Sequence, residues 1–174
     1  MKTTYGPVTA LTVTGLGEPG GGEHLSAINA LYTVAAAMNA PVGPLEGRWW
    51  VEDEPPPLEV PREQWRWHLH LPLPAVPAAG EMERARETAR TSGAAVDRVQ
   101  VVTFTEGECV ELLHEGPYSD EHITLAAMAE YMAAHGLVAN GLHHEVYLSD
   151  LQESDPAKMR TVLRQPVRSA GTAP

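Results

Sequence analysis

Glu145 and Tyr147 lie two residues apart in His143-His144-Glu145-Val146-Tyr147-Leu148-Ser149-Asp150, a run that otherwise reads as a strand. Side chains alternate across a strand, so a carboxylate and a phenol at this spacing share one face. Glutamate is depleted in strands and dislikes burial. The pair therefore has two readings: a solvent-facing strand with a surface acid, or polar groups placed for a ligand. Partly desolvated among aromatic rings, the carboxylate would be a competent base for water near neutral pH, or it could attract a cation. The Tyr147 phenol could donate a hydrogen bond to a ligand oxygen or to Glu145, or it could simply be a good strand former. His143 shares the Glu145 face and could tune it, whereas His144 points the other way.

Aromatic residues supply the second candidate set. Trp49, Trp50, Trp65 and Trp67 are all four tryptophans of the chain and fall on two successive strand-like runs. Trp65 and Trp67 share a face, and Trp49 and Trp50 face opposite ways. Large aromatics usually mean core, and at least one here is expected there. Two of the four are expected to stack on a flat aromatic ligand, each pair adding about 0.5–1.5 kcal/mol beyond burial. Tyr118, just before a helix start, has the same double reading as Tyr147.

Other chemistries find little support. Zinc needs three or four converging ligands. His68 and His70 share a strand face, but His143 and His144 diverge, so no metal is expected. Cys109 is the single cysteine, which excludes a disulfide framework and reads as a small buried residue. Gly20-Gly21-Gly22 lacks the strand–glycine–helix pattern with a distal acid that marks a nucleotide loop. The net charge of −11, with Lys2 and Lys158 the only lysines, argues against a nucleic-acid surface. It suits a neutral or cationic aromatic ligand. No apolar run approaches the roughly 20 residues of a membrane span, and the N-terminus has no signal-peptide core, so a cytoplasmic protein is expected.

The elements that must position these residues follow one pattern used twice. Val8 to Leu16 reads as a strand and Glu23 to Asn39 as a helix with Leu25, Ile28, Leu31, Tyr32, Ala35 and Met38 at helical spacing. Leu45 to Glu52 and Trp65 to Leu73 read as strands around Pro55-Pro56-Pro57. The second half repeats the order. Val99 to Glu115 is strand-like with a turn at Glu106-Gly107, and Ser119 or Asp120 caps a helix whose apolar face is Ile123, Leu125, Met128 and Met132. Gly136 ends it, and Leu142 to Asp150 and Met159 to Val167 follow as strands. Ala79 to Thr91 reads as an exposed connecting helix and Ser169 to Pro174 as a tail. The expected fold is one α+β domain of two pseudo-symmetric strand–helix–strand–strand modules, about 5–75 and 97–168, joined by a helix at about 79–92. Matching Asp53 with Asp150 sets Trp50 opposite Tyr147 and Arg48 opposite Glu145.

Along nearly its whole length the chain resembles the GyrI-like small-molecule-binding family. The likeness is weak over residues 1–40 and fair over Pro44-Leu45-Glu46-Gly47-Arg48-Trp49-Trp50 and Trp65-Arg66-Trp67-His68-Leu69. It is strong from Glu106-Gly107-Glu108-Cys109 through Leu112-Leu113-His114-Glu115-Gly116-Pro117-Tyr118-Ser119-Asp120-Glu121 to Arg164-Gln165-Pro166-Val167. The resemblance implies two such modules flanking a ligand groove, with Glu145, Tyr147 and Tyr118 in it. Many members are effector domains attached to a helix-turn-helix DNA reader. This chain resembles stand-alone members, and its Trp-Trp and Trp-x-Trp segments resemble the cyclopropanoid cyclopropyl hydrolases, which protect cells from duocarmycin-type DNA alkylators.

Two functional expectations follow. One is a cofactor-independent hydrolase that opens a strained cyclopropane in a flat aromatic molecule, with Glu145 orienting or deprotonating water and Tyr147 assisting. The other is a binding module that senses or sequesters an aromatic or cationic compound without chemistry. A protein inhibitor docking on a partner such as gyrase is a third reading by family analogy alone.

Overall fold

The computed structural model describes residues 2–52 and 59–171, so Asp53 and Pro55-Pro56-Pro57 lie outside the described residues. The chain divides into two compact units, Val8–Phe104 and Met1–Pro7 with Thr105–Pro174. We call them the tryptophan unit and the carboxylate unit.

In the tryptophan unit, β1 (Lys2–Leu16, which starts in the other unit) leads to α1 (Gly22–Met38), β2 (Glu46–Trp50), β3 (Arg66–Leu73) and α2 (Glu81–Ala89). β3 is central and antiparallel to both neighbours, pairing Leu16 with Arg66 on one side and Trp49 with Trp67 on the other. Helix α1 forms where its spacing predicts, and Asn39 closes it in a left-handed conformation (φ 50°). Its buried face is Ala27, Ala30, Leu31, Val34 and Ala35, while Leu25 and Tyr32 are exposed. Ala27, Ala30 and Ala35 share the interior face with Leu31 and Val34, so chain length alone does not mark the buried stripe. Helix α2 is not a free connector. Met82, Ala85 and Ala89 are buried and the helix packs on α1.

The carboxylate unit takes the end of β4 (Gln100–Glu115), then α3 (Glu121–Ala134), β5 (Leu137–Ala139), β6 (His143–Tyr147) and β7 (Arg160–Ser169). β4 is one strand rather than two. Gly107 sits inside it at φ +70°, a conformation glycine adopts at little cost, so Glu106-Gly107 is accommodated without a turn. β7 is central, antiparallel to β4, β5 and β6. Its last residue is Ser169, so the expected tail begins as strand. The core joins Val110, Met128, Leu163 and Val167, with Leu125 and Met132 packed against it. Ile123, expected on the same face, is 63% exposed. Asp120 is at the N-cap of α3 without a side-chain capping bond and accepts from Ser119 Oγ instead (3.0 Å). Gly136, in the left-handed region, follows the helix end as expected.

The order of pairing is the same in both units, β1-β3-β2 and β4-β7-β6. Gly17 and Gly116, each at φ +131°, follow the first strand of each set. Their N–H groups donate to the carbonyls of Trp65 (2.9 Å) and Met159 (3.1 Å), just before the central strands. Near the other ends, the Gly43 and Asn140 N–H groups donate to the carbonyls of Pro72 (3.0 Å) and Pro166 (2.8 Å). Through these anchors Arg66 matches Arg160, Trp67 matches Thr161, Trp49 matches Tyr147 and Gly47 matches Glu145. The matching from Asp53 and Asp150 is therefore one residue out of register. In a strand that slip exchanges the two faces.

Candidate functional site

The strand that carries Glu145 is fixed from behind. His144 is fully buried, and its Nδ1 lies 2.8 Å from Glu106 Oε1. Arg164, paired with His144 across β6 and β7, donates to Glu106 Oε2 (3.0 Å) and Glu111 Oε2 (3.3 Å) and stacks 3.7 Å over the Tyr5 ring. Tyr5 OH in turn donates to Glu111, and burial followed by that bond pushes its phenol up to about 12. Buried charges persist when paired in this way. With His144 held on one face of β6, alternation sends His143, Glu145 and Tyr147 to the other.

On that face Tyr147 OH donates to Glu145 Oε2 at 2.7 Å. His143 Nε2 lies 3.3 Å from Glu145 Oε1. Both carboxylate oxygens thus have partners, and the Glu145 side chain keeps 15% of its surface exposed. The Glu145 carboxylate is thus largely covered rather than open to solvent. Tyr118, in a single 3-10 turn before α3, meets the Tyr147 ring edge-on at 6.1 Å. It is 38% exposed, and burial, then the charges of Glu121, Glu145 and Asp150, raise its phenol above the usual range. His143 also lines an apolar recess of about 320 Å³ with Leu125, Met128, Met132 and Leu137.

One residue here was missed. Glu121 opens α3, and its carboxyl is pushed up to about 8, first by burial and then by the charge of Glu145. From the sequence it reads as a first-turn acid that complements the helix dipole. The available signal was its place in Gly116-Pro117-Tyr118-Ser119-Asp120-Glu121, one helical turn beyond Tyr118.

The tryptophans divide as alternation requires. Trp67 is fully buried, its ring over Gly15 and its Nε1–H donating to Gly17 O (3.2 Å). Trp49 is buried beside it, with the His24 ring against both at 5.6 and 5.4 Å. Trp65 is half-buried, edge-on to Trp49 at 6.1 Å, and its Nε1–H bonds Val60 O (3.2 Å). Trp50 is half-buried on the other face, edge-on to His68 at 4.6 Å. Burial, and then the Arg48 charge, lower the pKa of His68. Trp67, and nearly all of Trp49, are thus taken up as core, which leaves Trp50 and Trp65 with surface for a ligand. Among the described residues no group of three or more His, Cys, Asp and Glu could hold a metal, and no helix is long and apolar enough to cross a membrane.

A family model described as a GyrI-like small molecule binding domain matches residues 78–168. An uncharacterized conserved protein from Listeria innocua is 34% identical, with a TM-score of 0.88 over 97% of this chain and 91% of that one. A Listeria innocua protein described as a hydrolase is 32% identical, with a TM-score of 0.84 over the same shares. A more distant structure, SAV2435 bound to tetraphenylphosphonium, shares the fold at 10% identity and a TM-score of 0.51 over 97% and 93%. No curated protein sequence matches.

Proposed function

The chain belongs to the GyrI-like small-molecule-binding family, and from that premise we propose that it is a hydrolase of strained, electrophilic aromatic compounds. Its substrate class is the cyclopropane fused to a dienone in duocarmycin-type alkylators, and the outcome is detoxification. The observation that carries the proposal is the Tyr147–Glu145–His143 arrangement, a carboxylate held at both oxygens on a face fixed by the buried His144–Glu106–Arg164 network. Opening such a ring releases strain and restores a phenol, so the protein need only position water and polarise the carbonyl. Glu145 takes the proton of the attacking water, and Tyr147 fixes the carboxylate. A hydrolase among the structures about one-third identical supports the reaction class. We further propose that the two units are copies of one strand–helix–strand–strand module. The repeated pairing order supports this, and Trp50 and Trp65 keep exposed aromatic surface in the tryptophan unit.

The second reading is a binder of aromatic cations without turnover. It is favoured by the acidic cluster of Glu121, Glu145 and Asp150 around Tyr118. Incubating the protein with a cyclopropane-bearing dienone and analysing the products by chromatography separates the two. Ring-opened alcohol formed over many turnovers supports the hydrolase, and intact compound recovered from a tight complex replaces it with the binder.

A further inference from the structure

The acids of the carboxylate unit are not equivalent. Glu106 and Glu111 are both ion-paired with Arg164, and Glu145 is held by Tyr147 and His143. Glu121 differs: its Oε1 is buried and has no hydrogen-bond partner among the described residues. An acid placed in a first helical turn only for the dipole would sit in solvent, where that interaction costs nothing. Leaving a buried carboxyl oxygen unpaired is unfavourable unless something else uses it. The groups near it are those of the site. The charges of Glu121 and Glu145 both act on Tyr118, whose ring meets Tyr147 edge-on at 6.1 Å.

We propose that Glu121 is the proton donor of the ring-opening step, working against Glu145 as the acceptor. This rests on the hydrolase reading above. Water oxygen bonds to the cyclopropane methylene while Glu145 takes one water proton. The bond from that methylene to the spiro carbon breaks, and its electron pair runs into the dienone, making the ring aromatic. The carbonyl oxygen, now a phenolate, receives the Glu121 proton. The product gains one water, hydroxyl on the methylene and hydrogen on the phenol. Glu145 ends protonated and Glu121 ionised, and exchange with solvent resets them. Two carboxyl groups in different environments divide acid and base work in this way when one is held neutral. Burial and the Glu145 charge hold Glu121 protonated up to about pH 8. Other titratable groups on and around α3 are His122, Glu130, Tyr131 and His135 of the helix and its end, Tyr118, Asp120 and Asp150 near its start, His143 of β6, and His114 of β4 bonded to Thr124; β5 brings none.

The test compares wild type, Glu121→Gln and Glu121→Asp in kcat across pH 5–10, with infrared spectroscopy of the carboxyl band. Wild-type turnover should fall above about pH 8 as a buried carboxyl deprotonates. Glu121→Gln should lose about 10²-fold in kcat at neutral pH, its alkaline limb and that titrating band. Glu121→Asp should keep the limb at a reduced rate, which separates proton donation from a folding defect. Wild-type turnover with an unchanged rate and limb in Glu121→Gln overturns the proton-donor role alone. Absence of any carboxyl titrating near that pH overturns it as well. A wild type that binds but never turns over overturns both this role and the hydrolase.

Discussion

The two units use the same strand pairing and fill it with opposite chemistry. At the paired positions beside the glycine hinge, the tryptophan unit sets Trp67 against Gly15, and the carboxylate unit sets Thr161 against His114. A Cβ on Gly15 would lie 2.2 Å from the Trp67 ring, so the large ring takes the room that the small neighbour leaves. In the other unit the large residue is on the opposite strand. His114 is buried with both ring nitrogens near partners, Thr124 Oγ1 (2.9 Å) and Pro117 O (3.0 Å), and so ties the Tyr118 turn and α3 to β4. One position further, Gly47 stands where the other unit has Glu145, and Trp49 where it has Tyr147. The pairing scheme is thus neutral toward function. The carboxylate unit has groups that donate, accept or titrate where the tryptophan unit has apolar bulk and glycine.

The largest expected effect breaks this contrast at its centre. Glu145→Gln keeps the shape and a hydrogen bond to Tyr147 but cannot accept a proton. Single-turnover conversion of a cyclopropane-bearing dienone should slow by roughly 10²–10⁴-fold. Ligand affinity, read separately by tryptophan fluorescence, should change little. Conversion at the wild-type rate would remove Glu145 as the base.

The mirror experiment is in the other unit. Trp67→Ala empties a fully buried ring site and orphans the Gly17 carbonyl it bonds. Stability should drop by about 3–5 kcal/mol in denaturant unfolding. Whatever protein remains folded should retain turnover per folded molecule. A loss of turnover with intact stability would mean that Trp67 serves the ligand, and the division of labour between the units would be wrong.

How far the sequence reached follows the same division. Element types were legible because periodicity reports them: α1, β2, β3, β6 and β7 formed close to where spacing placed them. Faces were less legible. Alanine carries little hydropathic signal, so the expected stripe of α1 held the buried Leu31 and Ala35 but also the exposed Leu25 and Tyr32 and missed Ala27 and Ala30, and α2 was read as exposed although its Met82, Ala85 and Ala89 are buried. The three-residue strand β5 is too short to show alternation at all. In the site, Glu145, Tyr147 and His143 were legible because they share one strand face, a local property. Glu121 was not, since its environment depends on Glu145, which lies on another element and remote in sequence. The single-residue offset in matching the halves arose from anchoring on Asp53, which lies outside the described residues, and Asp150. The glycines at φ +131° and their hydrogen bonds set the register instead.

A smaller effect sharpens the contrast through pH. Below about pH 4.5 Glu121 is protonated in both folded and unfolded chains. Between there and about pH 8 the unfolded chain releases a proton that the fold retains, so stability falls as pH rises through that window and levels above it. Glu121→Gln removes this term. The melting temperature of wild type relative to Glu121→Gln should therefore decline from pH 5 to pH 8, by a few degrees at about 2–4 °C per kcal/mol for a chain of this size. A flat difference across the window would mean that Glu121 titrates like a solvent-exposed acid.

The smallest effect concerns the bond that joins phenol and carboxylate. Tyr147→Phe keeps the ring, its edge-on contact with Tyr118 and most of its burial, and removes the 2.7 Å bond to Glu145 Oε2. The base survives, still beside His143 at 3.3 Å. A hydrogen bond to a charged group contributes about 1.5–3 kcal/mol, but this carboxylate keeps 15% of its surface exposed and its His143 contact, and recovers part of that from water, leaving a net loss of about 1 kcal/mol. That corresponds to about a fivefold decrease in conversion, well short of the Glu145→Gln effect. The two variants together locate the chemistry. If Tyr147→Phe falls as far as Glu145→Gln, the phenol itself transfers a proton, and Tyr147 rather than Glu121 must be tested as the acid. If it converts at the wild-type rate, the bond only packs the strand, and the water is oriented by Glu145 and His143 without it.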